Sequence, residues 1–250
     1  MIQDPTDQLR PAEDEPVSPA NSPSSDHEHD FRQRVAGGGL LKESLAARLR
    51  EEILAGNIAP GEKIIEGRWA RRLGVAQVSV REALNILITE GFVTKGHGRS
   101  ARVLKLSDSD IIHIYQFRGA LEGLAARLTV ERRLPIHDLE AALEGLREAV
   151  QTNDVRRVIE RVQGFHVCLL DKPGNPFLRE NGRRVVVPLY AFTLMRALAK
   201  NLDAGPWVVQ LPNHQRILDA IRMGNPQLAE QVVIHVVGLF QKSALEVWAH

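Results

Sequence analysis

Only one of the 250 residues is cysteine, Cys168, so no intrachain disulfide can form and a disulfide-stapled scaffold is excluded. Aromatic residues make up just 5% of the chain, and no apolar run approaches the roughly 18 residues that a membrane-spanning helix needs. The first 40 residues lack the short apolar core of a signal peptide, which leads to the expectation of a soluble cytoplasmic protein. Charge of one sign is also missing. The 32 basic and 31 acidic residues leave a net +1, too little for whole-chain attraction to nucleic acid or an anionic membrane. What is present, 44% hydrophobic and 25% charged residues, is an ordinary globular composition with room for one large or two modest domains.

The near-zero total hides an uneven distribution. Residues 1–40 hold eight acidic against three basic residues and five of the 13 prolines, a composition that cannot bury a core and reads as a disordered acidic tail. Residues 41–105 hold twelve basic against seven acidic residues, and residues 106–250 are close to neutral with seventeen against sixteen. A basic module followed by a neutral one points to a polyanion partner for the first and a different task for the second.

The basic segment carries helical signals in a telling order. Leu45, Ala46, Leu49, Ile53 and Leu54 give an amphipathic helix over Leu41 to Ala55, closed by Gly56 and the turn residues Pro60 and Gly61. A short helix from Glu66 ends at Gly74, a residue that enters the left-handed conformation at little cost. A third helix follows over Gln77 to Gly91, with Val80, Ala83, Leu84, Leu87 and Ile88 on one face. Two helices joined at a glycine turn predict a helix-turn-helix, and the runs FVTK and ARVLK around GHGRS predict a hairpin wing. Gln77, Ser79 and Arg81 fall near the start of the third helix, where Arg can bond guanine and Gln adenine. His97, Gly98 and Arg99 form the wing tip, with Gly96 beside them. Arg68, Arg71, Arg72, Lys95 and Arg102 are suited to neutralising phosphates.

The runs APGEKI, RWARRLGVAQVSVREAL, ITEGFV and HGRSARV together resemble the winged domain of the GntR family of bacterial transcription regulators, over about residues 41–104. The resemblance implies that Arg81 contacts DNA and that His97 and Gly98 belong to a wing tip entering the minor groove. Gln77 stands where the family usually has Arg, so the usual operator bases do not carry over unchanged.

From Ser107 onward the pattern is helical, predicting about six helices in an antiparallel bundle: Asp108–Arg132, His137–Gln151, Asp154–Asp171, Asn175–Lys200, Trp207–Met223 and Pro226–Ala249. Four polar residues fall on the apolar faces of these helices. Arg118 shares a stripe with Ile114, Leu121 and Leu128; His166 sits beside Phe165; His214 shares a face with Ile217, Leu218 and Ile221; His235 sits with Leu228, Val232 and Leu239. A buried arginine needs an anionic partner, either a carboxylate ligand or an internal Glu such as Glu122 or Glu160. Three inward histidines could converge on a metal or an anion.

The runs YQFRGALEGLAARL, GFHVCLLDKPGNPFL and NHQRILDAIRMGNPQLAE resemble the FCD effector domain of the FadR branch of that family. The resemblance implies a divalent metal such as zinc held by one Asp and three His. His166 and His214 match two of those positions, Val162 stands where the Asp belongs, and His235 falls one residue short of the usual spacing.

The fold expectation is therefore mostly α: a tail over 1–40, a winged helix-turn-helix over 41–105 and an FCD-like helical bundle over 106–250 that binds effector and dimerises. The function expectation is a ligand-responsive regulator, most simply a repressor, that binds an inverted-repeat DNA operator as a homodimer and takes a small organic acid at Arg118, His166, His214 and His235. A metal-dependent hydrolase tethered to DNA is the enzymatic alternative, and no HExxH-type motif supports it. An effector-free architectural DNA-binding protein is the third class, and it predicts Arg118 paired to an internal carboxylate.

Overall fold

A computed structural model describes residues 40–95 and 100–248; the acidic tail and the wing-tip residues His97, Gly98 and Arg99 lie outside it. The N-terminal module contains α1 (Leu40–Leu54), α2 (Glu66–Leu73) and α3 (Gln77–Thr89), followed by β1 (Val93–Thr94) and β2 (Arg102–Val103). Gly74 closes α2 with φ +66°, and its N–H returns to the carbonyls of Ala70 and Arg71. This is the left-handed stop that lets α3 start three residues later at an angle to α2. The two strands pair antiparallel with Val93 opposite Val103. Phe92, Val93 and Val103 are buried, so the wing is held to the helices by apolar side chains rather than by its two-residue ladder.

The C-terminal part is entirely helical among the described residues: α4 (Asp108–Glu131), α5 (His137–Gln151), α6 (Val155–Asp171), α7 (Pro176–Ala199), α8 (Gly205–Val208), α9 (Leu211–Arg222) and α10 (Pro226–Trp248). Ser107 opens α4 with a reciprocal capping box, its hydroxyl accepting from the Asp110 N–H while the Asp110 carboxylate accepts from the Ser107 N–H. The expected single helix from Trp207 to Met223 is instead two, α8 and α9. Pro212 supplies no N–H and constrains Leu211 before it, so the chain restarts a helix there rather than continuing one. Helix α4 runs along α10, and Gly119 and Gly123 allow the approach: a Cβ on Gly123 would stand 2.9 Å from Ile234.

The two parts touch. Gly91, just beyond α3, has φ +80°, and a Cβ there would meet the Pro188 Cα of α7 at 2.6 Å and its nitrogen at 2.8 Å. Only a glycine permits this backbone-to-backbone seating. Arg156 of α6 adds a two-pronged ion pair to Glu51 of α1, at 2.8 and 2.9 Å.

Candidate functional site

Two groups of polar residues are organised by this fold, one on the surface of the N-terminal module and one inside the helical domain. On the surface, Gln77 and Arg81 sit one turn apart at the start of α3, and both are exposed, as is Arg68. Ser79 is half-buried. Arg72 is exposed too, but its guanidinium lies 4.7 Å over the Trp69 ring and 4.0 Å from Glu52. Arg102 donates to the Gly61 carbonyl at 3.0 Å, tying the wing to the loop after α1. Two residues not singled out by the sequence belong to this face. Glu66 accepts hydrogen bonds from both Gln77 and Arg81. Val78, 57% exposed on the first turn of α3, offers an apolar contact of the kind that a thymine methyl takes. An exposed valine at a helix start was a readable signal.

The buried group is built on four helices. Helix α4 carries Tyr115, Arg118 and Glu122 along one side, α6 brings Phe165 and His166, α7 brings Tyr190, and α9 brings His214. Arg118 and Glu122 are fully enclosed, the Arg118 Nε donating to Glu122 Oε1 at 2.5 Å. The other oxygen, Oε2, lies 2.8 Å from His166 Nδ1. Burial alone would raise the Glu122 pKa, but the Arg118 charge and the His166 contact bring it down to about 2. For Arg118, burial works against the charge and the neighbouring Glu122 outweighs it, so the guanidinium stays protonated.

Both histidines are held neutral. Burial pushes His214 down to about 3, and burial followed by the Arg118 charge lowers His166. A neutral imidazole carries one proton, and the partners say where it is. His166 Nδ1 faces an ionised carboxylate, and His214 Nδ1 lies 3.0 Å from the Gln210 carbonyl, so each Nδ1 bears the proton and each Nε2 presents a lone pair. Both Nε2 atoms are buried without a hydrogen-bond partner, and Nη1 and Nη2 of Arg118 meet no carboxylate, with only the Tyr115 and Tyr190 side chains as polar neighbours. Buried polar atoms without a partner are rare in folded proteins and costly to maintain.

Three aromatic rings surround the guanidinium, with the Arg118 Cζ 5.2 Å from the Tyr115 ring, 5.4 Å from Tyr190 and 5.8 Å from Phe240. A cavity of about 70 Å³ adjoins these rings, lined by Tyr115, Tyr190, Trp207, His214 and Phe240 among others, and Arg118 and His166 are not part of its lining.

The expected convergence of three histidines is corrected by this arrangement. His235 lies on the exposed side of α10, and the inward residues there are Val233, Val236, Val237 and Phe240. The spacing that a third histidine ligand would need falls on Val236, and Val162 is buried at the position of the missing Asp. Glu160 is exposed and takes no part. The four-ligand metal set therefore does not fit these residues: two imidazole nitrogens remain, the nearest carboxylate is committed to Arg118 and His166, and a fixed guanidinium adjoins them. Among the described residues no group of three or more His, Cys, Asp or Glu could hold a metal ion.

Residues 41–103 match the pattern of the bacterial regulatory proteins of the gntR family, and residues 113–238 match the FCD domain. The chain belongs to the GntR family. It is a transcriptional regulator of the GntR type with an FCD domain. Among its relatives is the uncharacterized HTH-type transcriptional regulator YdhC of Bacillus subtilis, 31% identical over 75% of this chain and 83% of that one. A probable D-xylose utilization operon transcriptional repressor of Paenarthrobacter nicotinovorans is 25% identical over 80% and 89%. In fold, this GntR regulator is similar to E. coli McbR/YncC, with a TM-score of 0.60 at 20% identity over 80% of this chain and 94% of that one. A putative GntR regulator from Rhodococcus sp. RHA1 gives 0.61 at 22% identity over 82% and 97%. No helix among the described residues is long and apolar enough to cross a membrane.

Proposed function

We propose that the regulator is a ligand-responsive repressor in the cytoplasm without enzymatic activity of its own, binding an inverted-repeat operator as a homodimer and taking a small carboxylate in the cavity at His214, whose lining rings Tyr115, Tyr190 and Phe240 also pack on Arg118. The observation that carries the effector is the cavity lined by Tyr115, Tyr190, His214 and Phe240 beside a buried guanidinium, with the Nε2 atoms of His166 and His214 buried without a hydrogen-bond partner. A ligand hydroxyl or a water would satisfy the imidazole lone pair of His214. An architectural protein without effector predicts Arg118 neutralised from within. Glu122 meets that expectation through Nε, and what favours the sensor is the cavity lined by Tyr115, Tyr190 and His214, which an effector-free core would fill.

Two further features support the finer reading, with the division at about residue 105 between a DNA-contacting module and an effector and dimerisation module. On α4, Ile114, Phe117, Leu121, Leu124 and Leu128 recur at alternating three- and four-residue spacing, and none of them is fully buried. Phe117 is 51% exposed and Ile234 of α10 is 46% exposed. A second copy of the same seam would cover this apolar stripe about a two-fold axis. For the coupling, α7 carries both the cavity residues Tyr190 and Thr193 and, at Pro188, the seat of Gly91 at the end of α3. A ligand that moves Tyr190 has a short mechanical route to the recognition helix, in addition to the joint at Lys105 to Asp108. The name of the Paenarthrobacter relative favours repression.

The test is thermal stability of the full chain against a panel of small carboxylates, with and without chelator. A binding acid raises the melting temperature by roughly 5–10 °C at a hundred times its Kd, and chelator leaves that shift unchanged. No shift with any acid sinks the effector reading, and a shift abolished by chelator sinks the metal-free one.

A further inference from the structure

Glu66 is the first residue of α2, and its carboxylate reaches across to α3 and the wing. Oε2 accepts from Arg81 Nε at 3.0 Å, from Arg81 Nη2 at 2.8 Å and from Gln77 Nε2 at 3.2 Å. Oε1 lies 3.8 Å from the Lys95 ammonium at the foot of the wing. The Glu66 side chain is 17% exposed while Arg81 is 52% exposed, so the acceptor sits at the base of the face and the guanidinium stands out from it. Together with Lys63 and Ser100 these residues line an open groove.

We propose that Glu66 is a specificity-determining positioning residue for DNA recognition, holding Arg81 and Gln77 in a base-reading geometry and opposing phosphate-only binding. This rests on the reading that the Arg81 face meets DNA. A guanidinium held along its Nε edge keeps its outer end, with Nη1, for a base, and guanine O6 and N7 are read by such an end. A phosphate in the groove must compete with the carboxylate for the same donors, because both want the charged edge of Arg81. The carboxylate also places one negative charge among Arg81, Lys63 and Lys95, which weakens sequence-independent attraction to the backbone. The Arg81 hydrogen bonds hold the Glu66 pKa below the usual carboxylate range, so the charge is present at neutral pH. A bland role exists for the same residue, as a negative charge on the first turn of α2 complementing the helix dipole. Glu66→Asp keeps that charge and shortens the reach, which separates the two roles.

The experiment selects binding sites for the wild-type full-length chain from a random-sequence duplex pool. It then measures affinity for the selected duplex and for a scrambled one at several salt concentrations. Glu66→Gln is expected to bind the scrambled duplex more tightly, with a salt slope steeper by about one, and to lose about tenfold in the ratio of selected to scrambled affinity. Glu66→Asp is expected to lose part of the ratio with an unchanged slope. Arg81→Ala is the control for the face itself. If Arg81→Ala loses the ratio but Glu66→Gln and Glu66→Asp keep both ratio and slope, Glu66 is only a helix-start charge and the proposal is overturned. If Glu66→Gln tightens both duplexes equally, Glu66 acts by charge without positioning, and the proposal is again overturned. If Arg81→Ala keeps the ratio, the face does not read DNA and the underlying assignment fails.

Discussion

Two of the regulator's Arg–Glu pairs look alike on paper and differ in almost everything physical. Arg81 and Glu66 meet at 2.8 Å on the surface, 52% and 17% exposed; Arg118 and Glu122 meet at 2.5 Å with neither exposed at all. At the surface, water screens the attraction and solvates whatever the pair leaves over, so the pair sets an orientation and contributes little stability. In the interior the same chemistry carries a large desolvation cost, repaid only while both partners remain. The interior pair also leaves Nη1 and Nη2 of the guanidinium without a carboxylate partner. One pair is a pointing device. The other is a charge held inside the core by its partner.

The sharpest way to break this contrast is to remove one buried partner. Arg118→Met strands the Glu122 charge and is expected to cost about 3–5 kcal/mol in urea unfolding, with most of it recovered in the double variant Arg118→Met, Glu122→Met. Glu66→Gln should cost less than about 1 kcal/mol in the same assay. Equal losses at the two sites would show that the buried pair is solvated after all.

A second variant addresses the seam that joins the two regions. Gly91→Ala places a Cβ against the Pro188 backbone at 2.6 Å in addition to its unfavourable φ, while Gly56→Ala has nearly the same φ of +79° and nothing within 4 Å. Both variants carry the backbone strain of roughly 1–2 kcal/mol, and only the first must also displace α7. Gly91→Ala is therefore expected to be the less stable by a further 1 kcal/mol or so, and to lose protection from proteolysis at the seam. Identical stabilities would mean that the two parts are not firmly seated on each other.

Acid probes the buried cluster as a whole. His214 has a folded pKa of about 3 against an ordinary 6.5, so between those values the unfolded chain binds a proton that the folded chain refuses. Stability falls as pH falls through this window, at up to about 1.4 kcal/mol per pH unit for one group. Below about 4.5 the lowered pKa of Glu122 adds loss in the same direction. Melting temperature is expected to decline from pH 6.5 to 4 and to decline less in His214→Gln. A flat wild-type profile would contradict the dry environment assigned to the cluster.

The residues that could be read in advance are those whose role is local. Gly74 was legible as a helix stop because a left-handed φ is a property of one residue, and Gln77 and Arg81 as residues of a helix start because that start fixes what its first two turns present. Inward placement of Arg118, His166 and His214 followed from 3.6-residue periodicity. The same periodicity failed for His235. On α10 the apolar residues extend nearly all round, with Ile234 and Leu228 themselves exposed, so hydrophobicity did not mark which side faces in. The break at Pro212 was missed because proline is tolerated in the first turn of a helix, and a proline alone does not say which helix it begins.

The chain's composition, its segregated charge and its helix and turn signals determine by themselves that a winged helix-turn-helix precedes a helical bundle, because these follow from propensities acting over a few residues. The Arg118–Glu122 pair, four residues apart on one helix, was within reach of the sequence. The pairing of Glu66 with Arg81 across two helices, the contact of Glu122 with His166 and the seating of Gly91 on Pro188 were decided only in three dimensions. Each joins residues whose separation in sequence carries no information about their distance. Packing alone sets which side chains share a dielectric, and so which of two identical charge pairs is solvated and which must find its partners inside the protein.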